Sequence, residues 1–587
     1  MATDAASRRR SATGKRWVFR DGDRARRDAL AEALGISPVL AHLLVTRGLG
    51  AERAARRFLA PELAHLHEPD LLPDVAKAAE RIRQAVAQGE RVLVYGDYDA
   101  DGVTATALLL QLLRLLGLQP VHYIPSRLDE GYGVHADAVE AAGQQGVDLI
   151  VTVDCGTGAV DEVRRARELG IDVVVTDHHE PGRAVAGACA VVNPKLTGSL
   201  YPFRDLSGVG VAFKLAWAVA QTFSPGKRVT ADFRSFLLDA MGLVALGTVA
   251  DVVPLRGENR VLAHYGLHAL GHSRSPGIAA LVEQAGVAGR PLAPSDVSFK
   301  LGPRLNAAGR LAEADLCVEL LTCDCPRRAA DIARTLEAKN RERRRVQAAI
   351  LAAARGRLAE GEGWQGRRAI VLADPQWHPG VVGIVAAKLA EEFHRPTVLL
   401  CVDGDVARGS GRSVPPFNLF EAIEACEDEL LAYGGHAQAA GLSLELARLE
   451  AFRRRFEEQA QAKLAGWEPC GMVEIDAEVA LGAVGRGLVR ELERLAPYGE
   501  GNPPPVLVAS DVLVAGVPRL MGRQGQHLSF YARQGEASFR AVGFGMGELF
   551  EEIAGGNVTC DIAFTPQVNA YRGLDELELR LHDLRVC

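Results

Sequence analysis

From about residue 75, short apolar runs alternate with stretches of helical spacing. Residues 92–95 read Val-Leu-Val-Tyr and residues 149–153 read Leu-Ile-Val-Thr-Val, with similar runs at 121–124, 171–176 and 190–192. Runs this short, with little polar alternation, predict strands covered on both faces, as in parallel sheets. The stretches between them, 105–116, 136–145 and 160–169, have helical spacing. Strand-then-helix repetition predicts a doubly wound parallel-sheet α/β domain. Helical patterning, including 236–249, continues to about residue 325.

Residues 327–358 predict one long connector helix, with Ile332, Leu336, Val346, Ile350 and Ala353 at helical spacing. Its other faces are rich in arginine, which suits either a surface lining a cleft or a solvated face. A second α/β segment spans about 367–467, with strands at 369–372 and 397–402 and a helix at 381–392. From 470 onward the pattern changes to short runs broken by Gly, Pro and Asn, at 506–508, 528–531, 538–542, 558–564 and 577–581. That predicts an OB-like β-barrel.

The chain has 587 residues, 48% hydrophobic and 24% charged. At about 150 residues per domain, this length holds roughly three to four domains. The expected division is a basic N-terminal extension (1–74), a catalytic α/β domain (75–325), the connector (326–360), a second α/β domain (361–468) and the barrel (469–587). No apolar run approaches the roughly 18–20 residues that cross a bilayer, and the charged N-terminus lacks a signal's apolar region. A cytoplasmic protein with no membrane partner is expected. The ten cysteines contain no CxxC pair, so they read as small buried residues rather than zinc ligands. A net charge of −7 weighs against a nucleic-acid partner unless local basic clusters supply the contacts. Residues 1–27 carry nine basic and three acidic side chains and read as a solvated, partly disordered arm.

The chemistry sits at strand ends. Gly96-Asp97-Tyr98-Asp99-Ala100-Asp101-Gly102 follows the first strand, Asp154-Cys155-Gly156 the third, and Asp177-His178-His179-Glu180 the fourth. In a doubly wound sheet, the carboxyl ends of the strands line one crevice. Any one of these aspartates alone reads as a cap or turn residue. Three strand ends carrying the same chemistry point instead to divalent cations, because like charges do not gather unpaired. Carboxylates mixed with imidazole suit manganese, or magnesium where oxygen dominates. Asp251, in Ala250-Asp251-Val252-Val253-Pro254, offers one more carboxylate. Such a set predicts a two-metal phosphohydrolase.

Asp177-His178-His179 is also the signature of the DHH phosphoesterases. Taken with the strand-end motifs above, Tyr123-Ile124-Pro125-Ser126-Arg127, the run 302–311 and Trp377-His378-Pro379-Gly380, the chain resembles the RecJ family of that superfamily. Gly409-Ser410-Gly411-Arg412-Ser413 and the run 434–441 agree with it too, so the match covers about 75–587. The resemblance implies one metal on Asp99 and Asp154, and another on Asp101, Asp154, His178 and Asp251. Asp154 would bridge the two, and His179 would approach the scissile phosphate. Many relatives carry a histidine where this chain has Tyr95, which leaves Asp97 as a substitute ligand. Arg127, Ser410 and Arg412 would bind a 5′ phosphate, with glycines letting backbone N–H groups approach it. Arg304, Asn306, Arg310 and His436 would line the DNA path, with a structural ion pair as the other reading of Arg304.

The family implies a 5′→3′ exonuclease specific for single-stranded DNA, using two Mn2+ or Mg2+ ions, in DNA repair and recombination. Partners by resemblance are single-strand binding protein and a repair helicase. In the barrel, Phe530, Tyr531, Phe539, Phe544 and Tyr571 are candidates for base stacking, with about half expected in the core. The rival readings are a phosphoesterase for oligonucleotides or cyclic dinucleotides, and a non-catalytic relative that binds single strands.

Overall fold

The unbroken apolar runs become strands with no exposed face: every residue of Val92–Tyr95 and Leu149–Val153 is buried. The computed structural model describes residues 11–127, 129–182, 184–226, 228–310, 313–361, 366–569 and 576–587. They form two compact units, one of 63–467 with 499–502, the other of the N-terminal 62 residues with 468–498 and 503–587.

In the first unit, five parallel strands lie in the order Val121–Tyr123, Val92–Tyr95, Leu149–Val153, Asp172–Thr176, Ala190–Val192. Counted along the chain this order is 2-1-3-4-5, so winding reverses between Val92–Tyr95 and Leu149–Val153, where doubly wound sheets bind ligands. The helix Ala231–Ala250 is long and apolar enough to cross a membrane by length and composition alone, unlike anything expected from the sequence. Leu237, Leu243, Val244 and Leu246 instead bury it in the main core.

The connector helix runs Pro326–Glu360. Ile332 and Leu336 pack into the core of the first domain, while Ile350, Ala354 and Leu358 pack with Val381, Val385 and Leu389 of the second. Most of its cations are paired: Arg328 with Glu319, Lys339 with Glu313, Arg344 with Glu337, and Arg355 with Glu392. The second domain holds a mixed sheet in the order Ala432–Gly435, Ala439–Glu445, Val406–Arg412, Thr397–Asp403, Ile370–Asp374. Three of these strands were not anticipated, because glycines at 409, 411, 434, 435 and 441 imitate loop composition.

In the other unit, strands Leu507–Met521, His527–Gln534, Ala537–Gly543, Glu576–Val586 and Thr559–Asn569 close into a barrel when the first pairs with the last. Phe530 is core, whereas Tyr531 and Phe544 are more than half exposed. Phe539 packs half-buried against the core, and Tyr571 lies outside the described residues. Residues 11–27 correct the expectation of a solvated arm, of which residues 1–10 lie outside the described residues. Arg16–Phe19 is a strand parallel to Met472–Ile475, and Trp17 is 1% exposed, its indole N–H donating to Asp583 at 2.7 Å. Counting charges hid one buried aromatic and its partner. Helices Arg24–Leu34 and Pro38–Thr46 then add Leu30, Leu40, Leu43 and Leu44 to the barrel's core.

Candidate functional site

Three strand ends and one helix end bring the acidic groups together at the reversal point. Asp99 caps the helix Ala100–Leu115, its Oδ1 accepting the N–H of Asp101 at 2.8 Å and of Gly102 at 3.1 Å. The turn closes tightly because Gly102 has no Cβ, which would lie 2.5 Å from the Asp97 carbonyl oxygen. Asp154 stands at φ 63°, a conformation costly for a residue with a side chain and found where surroundings impose it. Gly208 packs directly on it, since a Cβ there would sit 2.4 Å from Asp154 Oδ1. Asp101 is fully buried and accepts the N–H of Gly208 at 2.6 Å and of Val209 at 2.9 Å, at the positive end of the helix Gly208–Thr222. Asp251 caps the C-terminus of Ala231–Ala250, where the helix dipole opposes its charge.

His178 Nε2 lies 3.1 Å from Asp154 Oδ1, 3.7 Å from Asp251 Oδ2 and 3.9 Å from Asp101 Oδ2. Ligand atoms of Asp101, His178 and Asp251 fall within 4.8 Å of one another, as do those of Asp97, Asp99 and Asp154. Asp97 Oδ1, Asp154 Oδ1 and His178 Nε2 are buried and have no hydrogen-bond partner among the described residues; the 3.1 Å approach is not aligned as a hydrogen bond. Burial, and then the neighbouring carboxylates, push Asp97, Asp154 and Asp251 well above the carboxylate range and Asp101 up to about 7. Burial holds His178 down at about 3, so its imidazole is neutral and its lone pair is available. Orphaned acceptors, disfavoured negative charge and a neutral imidazole in two overlapping groups fit a pair of divalent cations.

Asp177 has a different job. Its Oδ1 accepts the backbone N–H of His178 at 2.7 Å and the Nδ1–H of His179 at 2.8 Å, and its Oδ2 the N–H of Thr157 at 3.0 Å. Burial opposes its charge, but these bonds prevail and hold the carboxyl well below its usual range. Burial would likewise lower the pKa of His179; the bond to Asp177 overrides it and raises it. Tyr132, not foreseen from the sequence, sits 2.9 Å from His179 Nδ1 and donates to the Asp154 carbonyl at 3.0 Å. The Tyr95 hydroxyl donates to the Gly133 carbonyl at 3.1 Å, whereas Asp97 lies grouped with Asp99 and Asp154.

The facing wall is cationic. A cavity of about 920 Å³ is lined by Asp97, Asp99, Arg127, Asp154, His179 and Asp251 of the first domain and by Arg408, Ser410, Arg412 and His436 of the second. A second cavity, of about 710 Å³, shares Asp99, Arg127, Asp251 and Arg412 with it and adds Asn306 and Arg310. Gly409-Ser410-Gly411-Arg412 does not leave its backbone N–H groups free for an anion, as its glycines suggest. It lies in a strand paired on both sides, so its backbone N–H groups belong to the ladder, and Gly409 is glycine because a Cβ would meet the Leu399 carbonyl oxygen at 2.0 Å. The two-residue strand period presents Arg408, Ser410 and Arg412 together. That alternation was the signal by which Arg408 could have been found, and Ser207-Gly208 before an apolar helix was the signal for the Asp101 cradle.

Arg412 donates to Ser410 Oγ at 2.7 Å, and the Arg127 guanidinium lies over the Tyr98 ring at 5.0 Å. Burial, then the charges of Arg127, Arg343 and Arg412, depress the pKa of Arg310, which favours an anion beside it. Asn306 Oδ1 accepts the Ala100 N–H at 2.7 Å, so it braces the acidic turn. Arg304 is not brought to the cleft cavities: it pairs with Glu337 at 2.7 Å, its side chain 11% exposed.

Comparison with known proteins agrees with this layout. The DHH family N-terminal domain matches residues 91–248, the DHHA1 domain 366–462 and the RecJ OB domain 475–583. The chain is 37% identical over 577 residues to the single-stranded-DNA-specific exonuclease RecJ of Bacillus subtilis, covering 98% of this chain and 71% of that protein. It is 37% identical to the Dickeya dadantii protein of the same name, covering 92% and 95%. The crystal structure of RecJ from Thermus thermophilus in complex with Mn2+ superposes with a TM-score of 0.82 at 33% identity, covering 97% of this chain and 79% of that one. A Mg2+ complex of the same protein gives 0.75 at 30%. The chain belongs to the RecJ family of DHH phosphoesterases.

Proposed function

We propose that this chain is a 5′→3′ exonuclease specific for single-stranded DNA, releasing 5′-mononucleotides with two Mn2+ or Mg2+ ions. The observation that carries the reading is the pair of opposed walls. A buried acidic cluster with orphaned ligand atoms shares one cavity with Arg408, Ser410 and Arg412 of the second domain, and with Arg127 over the Tyr98 ring.

Asp97, Asp99 and Asp154 would hold one cation, and Asp101, Asp154, His178 and Asp251 the other, with Asp154 common to both. The chemistry such a pair supplies when bound is activation of water and neutralisation of phosphate charge during in-line displacement. His179 gives its Nδ1–H to Asp177, which leaves Nε2 for a phosphate or leaving oxygen; its raised pKa keeps a proton available there. Arg412 and Arg127 offer forked donors to a terminal 5′ phosphate, and Ser410 adds a hydroxyl. Anchoring that terminus sets the first phosphodiester against the acidic wall, which would give both the polarity and the mononucleotide product. A cleft between facing domains admits one backbone more readily than a duplex. Cytoplasmic location, a repair role and work alongside a single-strand binding protein and a helicase come from the family resemblance.

The test is a 3′-labelled single strand and its duplex, each incubated with Mn2+ or with chelator. Metal-dependent shortening of the single strand from its 5′ end, with the duplex spared, is expected. Binding without cleavage would favour a non-catalytic relative, and cleavage confined to two- to five-nucleotide substrates a small-substrate phosphoesterase.

A further inference from the structure

Asp251 is the one proposed ligand that no strand end supplies, and its surroundings are unusual. It closes the helix Ala231–Ala250, and the next residue, Val252, stands at φ 61° and is 61% exposed. A β-branched residue in the left-handed region is strained and persists only where neighbours impose the conformation. Its weak backbone bond, Val252 N–H to Val249 at 3.4 Å, does not impose it.

The constraint comes from a remote piece of chain. Residues 499–502 belong to the same compact unit as Asp251, while the chain on either side of them, through Tyr498 and from Pro503, belongs to the other. Gly499 and Asn502 close a tight turn through two reciprocal backbone bonds of 3.0 and 3.1 Å. The Leu255 N–H donates to the Glu500 carbonyl at 2.8 Å, and Arg256 Nε donates to the Gly501 carbonyl at 2.7 Å. Packing is close: a Cβ on Gly499 would lie 2.6 Å from Leu255 Cδ1, and one on Gly501 3.0 Å from Pro254 Cβ and from Arg256 Nε. From the other side, Asn259 donates to the Pro254 carbonyl at 3.1 Å. Pro254 to Arg256 is thus held both by residues 499–502 and by Asn259, a few residues beyond the strained Val252 and Asp251.

We propose that residues 499–502 are a positioning strap for Asp251, so that chain continuous with the barrel-bearing segment sets the affinity of the catalytic centre for its second cation. This rests on the reading of Asp251 as a metal ligand. Arg256, Gly499 and Gly501 are positioning residues: they line neither cleft cavity and would act only through the turn that carries Asp251.

The test is direct Mn2+ binding to the full-length protein without DNA, followed by electron paramagnetic resonance of the free ion. Arg256→Ala and Gly501→Ala should raise the Mn2+ concentration for half-saturation of the weaker site on the order of tenfold, as loss of groups that orient a ligand does. Arg256→Lys should recover most of the affinity. At saturating Mn2+, KM for a single strand should be unchanged in all three. Gly482→Ala, in open space, is the control and should bind as wild type. Wild-type Mn2+ binding by folded Arg256→Ala and Gly501→Ala, with weakened binding by Asp251→Asn, would overturn the strap alone. Wild-type binding by Asp251→Asn would overturn the ligand reading and the strap with it.

Discussion

The two walls of the cleft reach opposite charge by opposite construction. The acidic wall is made of loops and caps at the edge of a buried parallel sheet, and its carboxylates are deep: Asp101 and Asp154 are 0% and 2% exposed. The cationic wall is made of one antiparallel strand and its neighbours, whose side chains project into the cavity at every second residue. Burial penalises the charged form on both sides, raising carboxylates on one and lowering guanidinium groups on the other. The acidic wall must fold around charges that repel one another, so it depends on cations. The cationic wall is spread over separate strands and turns and needs only the transient charge of a substrate phosphate. On the proposed function, one wall would carry the chemistry and the other the choice of substrate end.

The largest expected effect breaks the acidic wall. Asp154→Ala should lower kcat by at least about 10³-fold, because groups acting as a unit fail together. In chelator, Asp154→Asn should melt higher than wild type, since it removes one of the mutually repelling carboxylates. Added Mn2+ at 100 times its dissociation constant should stabilise the wild type by about 2.7 kcal/mol per site, read as a shift in Tm. A variant that melts lower than wild type in chelator would contradict the account of stored repulsion.

His179→Ala should cost on the order of 10²-fold in kcat at saturating Mn2+ while leaving Mn2+ affinity near wild type, if its part is proton transfer. Weaker still, Arg412→Ala should cost about 2 kcal/mol in kcat/KM, roughly thirtyfold, on a 5′-phosphorylated strand. On a 5′-hydroxyl strand the same variant should lose almost nothing, and equal losses on both would mean that Arg412 does not read the terminus. The smallest functional effect belongs to Arg304→Ala. Kinetics should move by no more than about twofold while Tm falls, because Glu337 is left buried with less compensation.

These walls were unequally legible in the sequence. Unbroken apolar runs ending in aspartate announced the acidic wall, because a strand buried on both faces leaves little room for other patterns. The proposal of Asp99, Asp101, Asp154, His178 and Asp251 as ligands came from the family motifs. Ser410 and Arg412, proposed from the sequence as phosphate contacts, line the cavity from a paired strand rather than from backbone free to meet an anion. Glycine at 409 and 411 looks like a loop whether it frees the chain or, as here, makes room for a neighbouring strand. Arg408 was hidden by the same misreading. Arg304 could not be placed, since a buried partner such as Glu337 is invisible until the connector helix is packed. Trp17 was missed for the same reason: its partner, Asp583, lies at the far end of the chain.

Two cations held by the acidic wall are the central requirement of the proposed chemistry. Mn2+ titrated into the full-length protein should show two ions per chain in the wild type, and the loss of one or both in Asp154→Asn, in step with loss of single-strand cleavage. A wild-type protein that cleaves with a single bound ion, or an Asp154→Asn variant that keeps both, would contradict it.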